Sequence, residues 1–133
     1  MPEASIFLLE DEALIRMMLA EMVEGLGHHV VAEAGDMVAG QALAETAIFD
    51  LAILNINIAD DIVTPVAEII DRRGLPFIFV SGYGPRGRPE AFRGRPALPK
   101  PLLKSKLGET IDALLATAGE ASSPPDNSSP KFQ

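Results

Sequence analysis

Five residues of this chain carry groups that do chemistry once they are brought together. They are the adjacent acids Glu10 and Asp11, the carboxamide of Asn55, the hydroxyl of Ser81 and the ammonium of Lys100. Neighbouring carboxylates offer the hard oxygens that a divalent cation takes as ligands. A hydroxyl and an ammonium grip anionic oxygens electrostatically, as phosphoryl chemistry requires. Asn55 is the anomaly, because a carboxamide is neutral and its oxygen is a poor nucleophile. It ends the apolar run Asp50-Leu51-Ala52-Ile53-Leu54-Asn55, where the rest of the set leads one to expect an aspartate. The set has meaning only if the fold closes the long gaps between residues 10, 55, 81 and 100.

Hydrophobic periodicity supplies the elements that would close them. Ser5 to Glu10 is a short apolar run of the kind buried on both sheet faces. Ala13 to Gly25 follows at helical spacing, with Leu14, Met17, Met18, Met22 and Leu26 expected toward the core, and Gly25 and Gly27 stop it. His29 to Ala34 reads as a second strand, about Val38 to Ala47 as a helix capped by Asp36, and Asp50 to Asn55 as a third strand. The third helix is expected over about Pro65 to Arg73 with Thr64 as its cap, and Leu75 to Ser81 as the fourth strand. Asn57, Asp60 and Asp61 read as turn formers after the third strand.

Pro85 to Pro96 mixes prolines, glycines and arginines, which suits a short or mobile element better than a helix. Arg95 to Leu98 gives a short fifth strand. Leu102 to Ala118 gives a last helix, with Leu103, Leu107, Ile111, Leu114 and Leu115 toward the sheet. The expected organisation is one domain over residues 1–118 and a disordered Ser/Pro-rich tail over 119–133.

Strands alternating with helices imply an α/β fold, a five-stranded parallel sheet with helices on both faces. In such sheets ligands sit outside the carboxyl ends of the strands. Glu10 and Asp11 end the first strand, Asn55 the third and Ser81 the fourth, and Lys100 follows the fifth. All five are therefore expected around one crevice.

Composition narrows the function classes. The absence of cysteine rules out disulfides and thiolate metal sites and suits a reducing cytosol. Met1 to Ser5 carries no basic-then-apolar leader and no run approaches membrane-spanning length, so a cytoplasmic location and no membrane partner are expected. Charge is unevenly spread: residues 1–71 hold fourteen acids and one base, and residues 72–106 hold nine bases and one acid. That pattern suits a divalent cation beside an anion or a charged partner, or simply a solvated face at Arg86, Arg88, Arg93 and Arg95. Nucleic acid is not expected as a partner, since the chain is acidic and no aromatic residues interleave the basic run. His28 and His29 lack ligand partners at metal spacing and are assigned no chemistry.

The span from about Ser5 to Ala118 resembles the receiver domain of bacterial two-component response regulators. The resemblance rests on the pair Glu10-Asp11, the strand-three site at Asn55, the hydroxyl of Ser81 and the dipeptide Lys100-Pro101, in family order and spacing. Pro76 to Tyr83 (PFIFVSGY) is similar to the PFxFATGY signature of an often single-domain receiver subfamily, with Val80 for Ala and Ser81 for Thr. The resemblance implies a flavodoxin-like sheet of strand order 2-1-3-4-5.

It also implies a function: phosphorelay signalling with a sensor histidine kinase, a histidine phosphotransfer protein or other signalling proteins as partners, with no effector domain attached and no enzymatic turnover. Magnesium, weakly bound if at all, would take Glu10, Asp11, the side-chain oxygen of Asn55 and the backbone carbonyl of Asn57. Ser81 and Lys100 would hold the phosphoryl oxygens. Asn55 occupies the phospho-acceptor position without its aspartate, which fits either a pseudo-receiver that binds partners without phosphorylation or an inactivated form of an ordinary receiver. Tyr83, two residues beyond Ser81, is a switch candidate that would reorient when the site fills, while the family's aromatic switch position is here Ala97. The alternative function is a metal-dependent phosphoryl-transfer enzyme of haloacid-dehalogenase or toprim-like type, disfavoured because Asn55 and Asn57 stand where its acids belong.

Overall fold

In the computed structural model, which describes residues 3–122, the elements run β1 (Ser5–Leu9), α1 (Ala13–Gly25), β2 (His29–Ala34), α2 (Met37–Thr46) and β3 (Leu51–Asn55). A small hairpin follows, β4 (Asn57–Ile58) and β5 (Asp61–Ile62), then α3 (Thr64–Arg72) and β6 (Phe77–Ser81). Two 3-10 turns, Gly84–Gly87 and Glu90–Phe92, lead to β7 (Ala97–Pro99) and α4 (Lys104–Ser122). Five strands form one parallel sheet in the order β2-β1-β3-β6-β7, which is the expected 2-1-3-4-5 once the hairpin is set aside.

The central strands are apolar throughout because helices cover both of their faces, and every residue of β3 and β6 is buried. Edge strand β2 alternates instead, with His29, Val31 and Glu33 exposed. Successive side chains feed two separate cores. Phe7, Leu9, Ala52, Leu54, Phe77 and Phe79 pack under α2 and α3, whereas Ile6, Leu8, Leu51, Ile53, Ile78 and Val80 pack under α1 and α4. Asp36 caps α2 by accepting the Ala39 N–H at 2.8 Å.

Four expectations need correction. On α1, Leu19 and Val23 are buried, but Leu14, Met17 and Met18 are 65%, 52% and 49% exposed. The helix carries two adjacent apolar stripes, and a helix lying on a sheet buries only one. Leu103 is likewise exposed, because the chain is still in the connection from β7 there and α4 begins at Lys104; Leu107 and Ile111 are buried as expected. α4 runs on to Ser122, past the tail boundary expected after Ala118. Alanine and glutamate favour helix, and no proline intervenes before Pro124. The rest of the expected tail, residues 123–133, lies outside the described residues.

The fourth correction is the hairpin. Asn57 pairs with Ile62 and Ile58 with Asp61, around a two-residue turn in which Ala59 has φ 55. The Val63 N–H then returns to the Ile56 carbonyl at 2.9 Å, and Val63, not Thr64, is the cap residue of α3, which begins at Thr64.

Pro85 to Pro96 makes the two 3-10 turns and no longer helix, in line with its composition. Arg88 donates to the carbonyls of Pro85 and Arg95. Arg95 pairs with Asp71 and lies over the rings of Phe77 and Phe92. These two arginines are structural, which leaves Arg86 and Arg93 as the exposed members of the group.

Candidate functional site

The sheet register brings the expected residues level. Leu9 lies beside Leu54, Asn55 beside Val80, and Ser81 beside Pro99. Glu10 and Asp11 therefore leave the sheet next to Asn55, and Lys100 donates its backbone N–H to the Ser81 carbonyl at 3.0 Å. The Lys100–Pro101 peptide is cis.

Glu10, Asp11, Asn55, Asn57 and Lys100 form one hydrogen-bonded network. Glu10 is fully buried. Its Oε1 accepts from Lys100 Nζ at 3.3 Å, and its Oε2 accepts from the Glu12 N–H at 3.0 Å and from Asn55 Nδ2 at 3.3 Å. The same Asn55 Nδ2 donates to Asp11 Oδ1 at 3.3 Å and to the Asn57 carbonyl at 2.7 Å. All three partners are acceptors, so the network requires the amide nitrogen, not its oxygen, on this side. Asp11 Oδ2 accepts the N–H of Ala59, the left-handed residue of the hairpin turn, at 2.9 Å.

Two carboxyls so close are driven apart in acidity. Burial pushes the Glu10 carboxyl above its ordinary range, against the downward pull of the Glu12 N–H and Lys100, and its hydrogen bond with Asp11 adds to the rise. Burial presses Asp11 upward too, but the Ala59 N–H, with help from Glu10 and Asn55, outweighs it and holds Asp11 below the ordinary range.

Ser81 sits apart from this network. Its buried hydroxyl accepts the Tyr83 N–H at 3.1 Å, and among the described residues it makes no hydrogen bond to Asn55 or to the Lys100 side chain. The first 3-10 turn closes over it, since a Cβ on Gly87 would lie 2.6 Å from Ser81 Oγ. The Tyr83 side chain is exposed, and Ala97 is buried among the phenylalanines of the α2–α3 face.

Sequence reasoning missed two residues here. Arg16 donates to the Glu10 carbonyl at 2.6 Å and pairs with Glu33, fixing the turn that carries both acids. Its signal was available, as the one base among residues 1–71. Ala59 carried no such signal. His28 is structural, its Nδ1 accepting the Ala4 N–H at 3.1 Å.

Three of the four oxygens that the family resemblance assigns to magnesium, those of Glu10, Asp11 and Asn57, do converge, but they converge on the Asn55 NH2 group and not on its oxygen. A cation at that point would meet N–H donors, so the donor set as folded does not fit the ion. Among the described residues no group of three His, Cys, Asp or Glu side chains is placed to hold a metal. Beside Lys100 opens an apolar cavity of about 380 Å³, lined by Ile15, Met18, Leu19, Met22, Val80 and Pro101 among others.

No family model matches the chain. It is 32% identical over 110 residues to the transcriptional regulatory protein PdtaR of Mycobacterium tuberculosis, covering 82% of this chain and 54% of that protein. The chain thus spans about half the length of the curated relatives it matches. Among solved structures it is similar to SdrG from Sphingomonas melonis Fr1, with 34% identity, a TM-score of 0.75 and coverage of 85% of this chain and 97% of that one. It is also similar to the response regulator PhyR from Brucella abortus, with 27% identity, a TM-score of 0.76 and coverage of 90% and 51%.

Proposed function

The chain belongs to the response regulator receiver family, and we propose that it serves two-component phosphorelay signalling in the cytoplasm as a binding module whose partner contacts do not depend on phosphorylation of residue 55. The observation that carries this reading is Asn55 itself. It stands at the acceptor position with its nitrogen hydrogen-bonded to Glu10, Asp11 and Asn57. A carboxamide forms no stable acyl phosphate, so the step that switches an ordinary receiver is closed to it.

The partner is a sensor histidine kinase or a histidine phosphotransfer protein, in keeping with the PFxFATGY-like run. Leu14, Met17 and Met18 support a docking role for α1. They lie exposed on one helix face, Met18 also lines the apolar cavity, and methionine adapts readily to a partner surface. The enzyme alternative is set aside, because Asn55 and Asn57 leave it without an acid pair and the relatives described above are signalling proteins.

Intact mass of this chain and of Asn55→Asp after exposure to acetyl phosphate with magnesium tests the closed step. Only the aspartate form is expected to gain a phosphoryl group. Titration of the labelled chain with purified phosphotransfer and kinase dimerisation domains is expected to shift α1 resonances equally with and without the phosphodonor. Phosphorylation of the native chain, or binding that appears only with the donor, overturns the reading.

A further inference from the structure

We infer that the Asn55 carboxamide does the bridging work of a divalent cation in this chain, so that the site stays assembled without one. One nitrogen lies 2.7 to 3.3 Å from oxygens of Glu10, Asp11 and Asn57, which belong to two separate segments, the end of β1 and the β4–β5 hairpin. The NH2 group is the positive end of the amide dipole and carries two donors, so it attracts both carboxylates and ties them to the hairpin backbone. Asp11 extends the tie through its other oxygen to Ala59, and Arg16 anchors the same turn from behind.

Charge points the same way. Two carboxylates share this site, and the ammonium of Lys100 pairs with one of them, Glu10. An aspartate at residue 55 would add a third carboxylate beside one ammonium, an arrangement that a bound cation or an added proton relieves. The carboxamide removes the third charge and fills the gap with its own donors. The hairpin and the start of α1 are therefore held in one arrangement whether magnesium is present or not. This deepens the receiver reading and rests on it for the identity of the site, though not for any partner.

The test is thermal unfolding and magnesium calorimetry of the full chain, of Asn55→Asp and of Asn55→Ala, with sodium chloride matching the ionic strength. For the native chain, added magnesium is expected to leave the Tm unmoved. Heteronuclear NMR is expected to show the Asn55 side-chain amide signals equally unmoved. Asn55→Asp is expected to melt lower in chelator, to rise when magnesium is added, and to bind the ion at least about tenfold more tightly than the native chain. Asn55→Ala, lacking the bridge, is expected to melt lower in both conditions without magnesium rescue.

A native Tm that rises with magnesium as far as that of Asn55→Asp overturns the inference, and so does an Asn55→Ala chain as stable as the native one. If Asn55→Asp folds in neither condition, the native and alanine chains decide the matter alone. If the native chain binds kinase or phosphotransfer domains only with the phosphodonor while Asn55→Ala still melts lower without magnesium rescue, the proposed function fails while the bridging role stands.

Discussion

The two faces of the sheet are closed to different degrees. Under α2 and α3 lie Phe7, Phe49, Phe77, Phe79 and Phe92, with ring centroids 5.3 to 6.1 Å apart, and α3 buries Val66, Ala67, Ile69 and Ile70 together. The other face is aliphatic, and α1 leaves Leu14, Met17 and Met18 outside its core. The helices of the aromatic face expose one large apolar side chain, Val38 of α2, whereas α1 exposes three together. Truncation should therefore cost most where the aromatic rings pack together, and the exposed stripe of α1 is the surface to which the proposed docking role is assigned.

The largest effect that would break this contrast lies on the closed face. Phe77→Ala is expected to cost about 3–5 kcal/mol in urea unfolding, because the rings around it cannot collapse into the space. A cost below that of an exposed alanine substitution would mean that the aromatic face is loosely packed. Next in size is Gly40→Val. A Cβ at Gly40 already lies 3.0 Å from Leu9, so the added bulk should force α2 off the sheet at about 1–3 kcal/mol.

A smaller effect sharpens the contrast at the strand ends, where the acid pair joins the two faces. Glu10 holds its proton more tightly in the folded chain, so its share of stability declines as pH rises from the ordinary carboxylate value toward its raised one. Asp11 behaves oppositely, its share being present above the ordinary value and lost as pH falls through its lowered one. Unfolding of the native chain and of Glu10→Gln across this range should move in favour of the glutamine form as pH rises. A difference that stays constant with pH would remove Glu10 as the group responsible. The smallest stability effect belongs to the open face. Met17→Glu should change stability by no more than about 0.5 kcal/mol while abolishing the α1 shifts produced by a kinase or phosphotransfer domain.

Much of the fold was legible because β1, β3 and β6 are continuous apolar runs, and such runs in alternation with helices admit few arrangements. The convergence of Glu10, Asp11, Asn55 and Lys100 followed from their places at strand ends. The buried stripe of α1 was not legible, since Leu14 and Met18 are as apolar as Leu19 and Val23 and only tertiary contact chooses between them. The hairpin was hidden because Asn57, Asp60 and Asp61 carry ordinary turn chemistry, and its left-handed residue is an alanine. Nor could sequence decide which end of the Asn55 amide faces the acids, because that depends on three acceptors meeting in space.

Short-range ion pairing also governs how the molecule looks from a distance. Arg93 pairs with Glu90, Arg95 with Asp71, Lys100 with Glu10 and Lys106 with Glu109, so four of the nine bases between residues 72 and 106 are matched at short range. Beyond a Debye length of about 8–10 Å such pairs fade, and an approaching molecule meets chiefly the net charge of −8. Encounter rates with a basic docking surface should then fall as salt is raised, whereas those with an acidic one should climb.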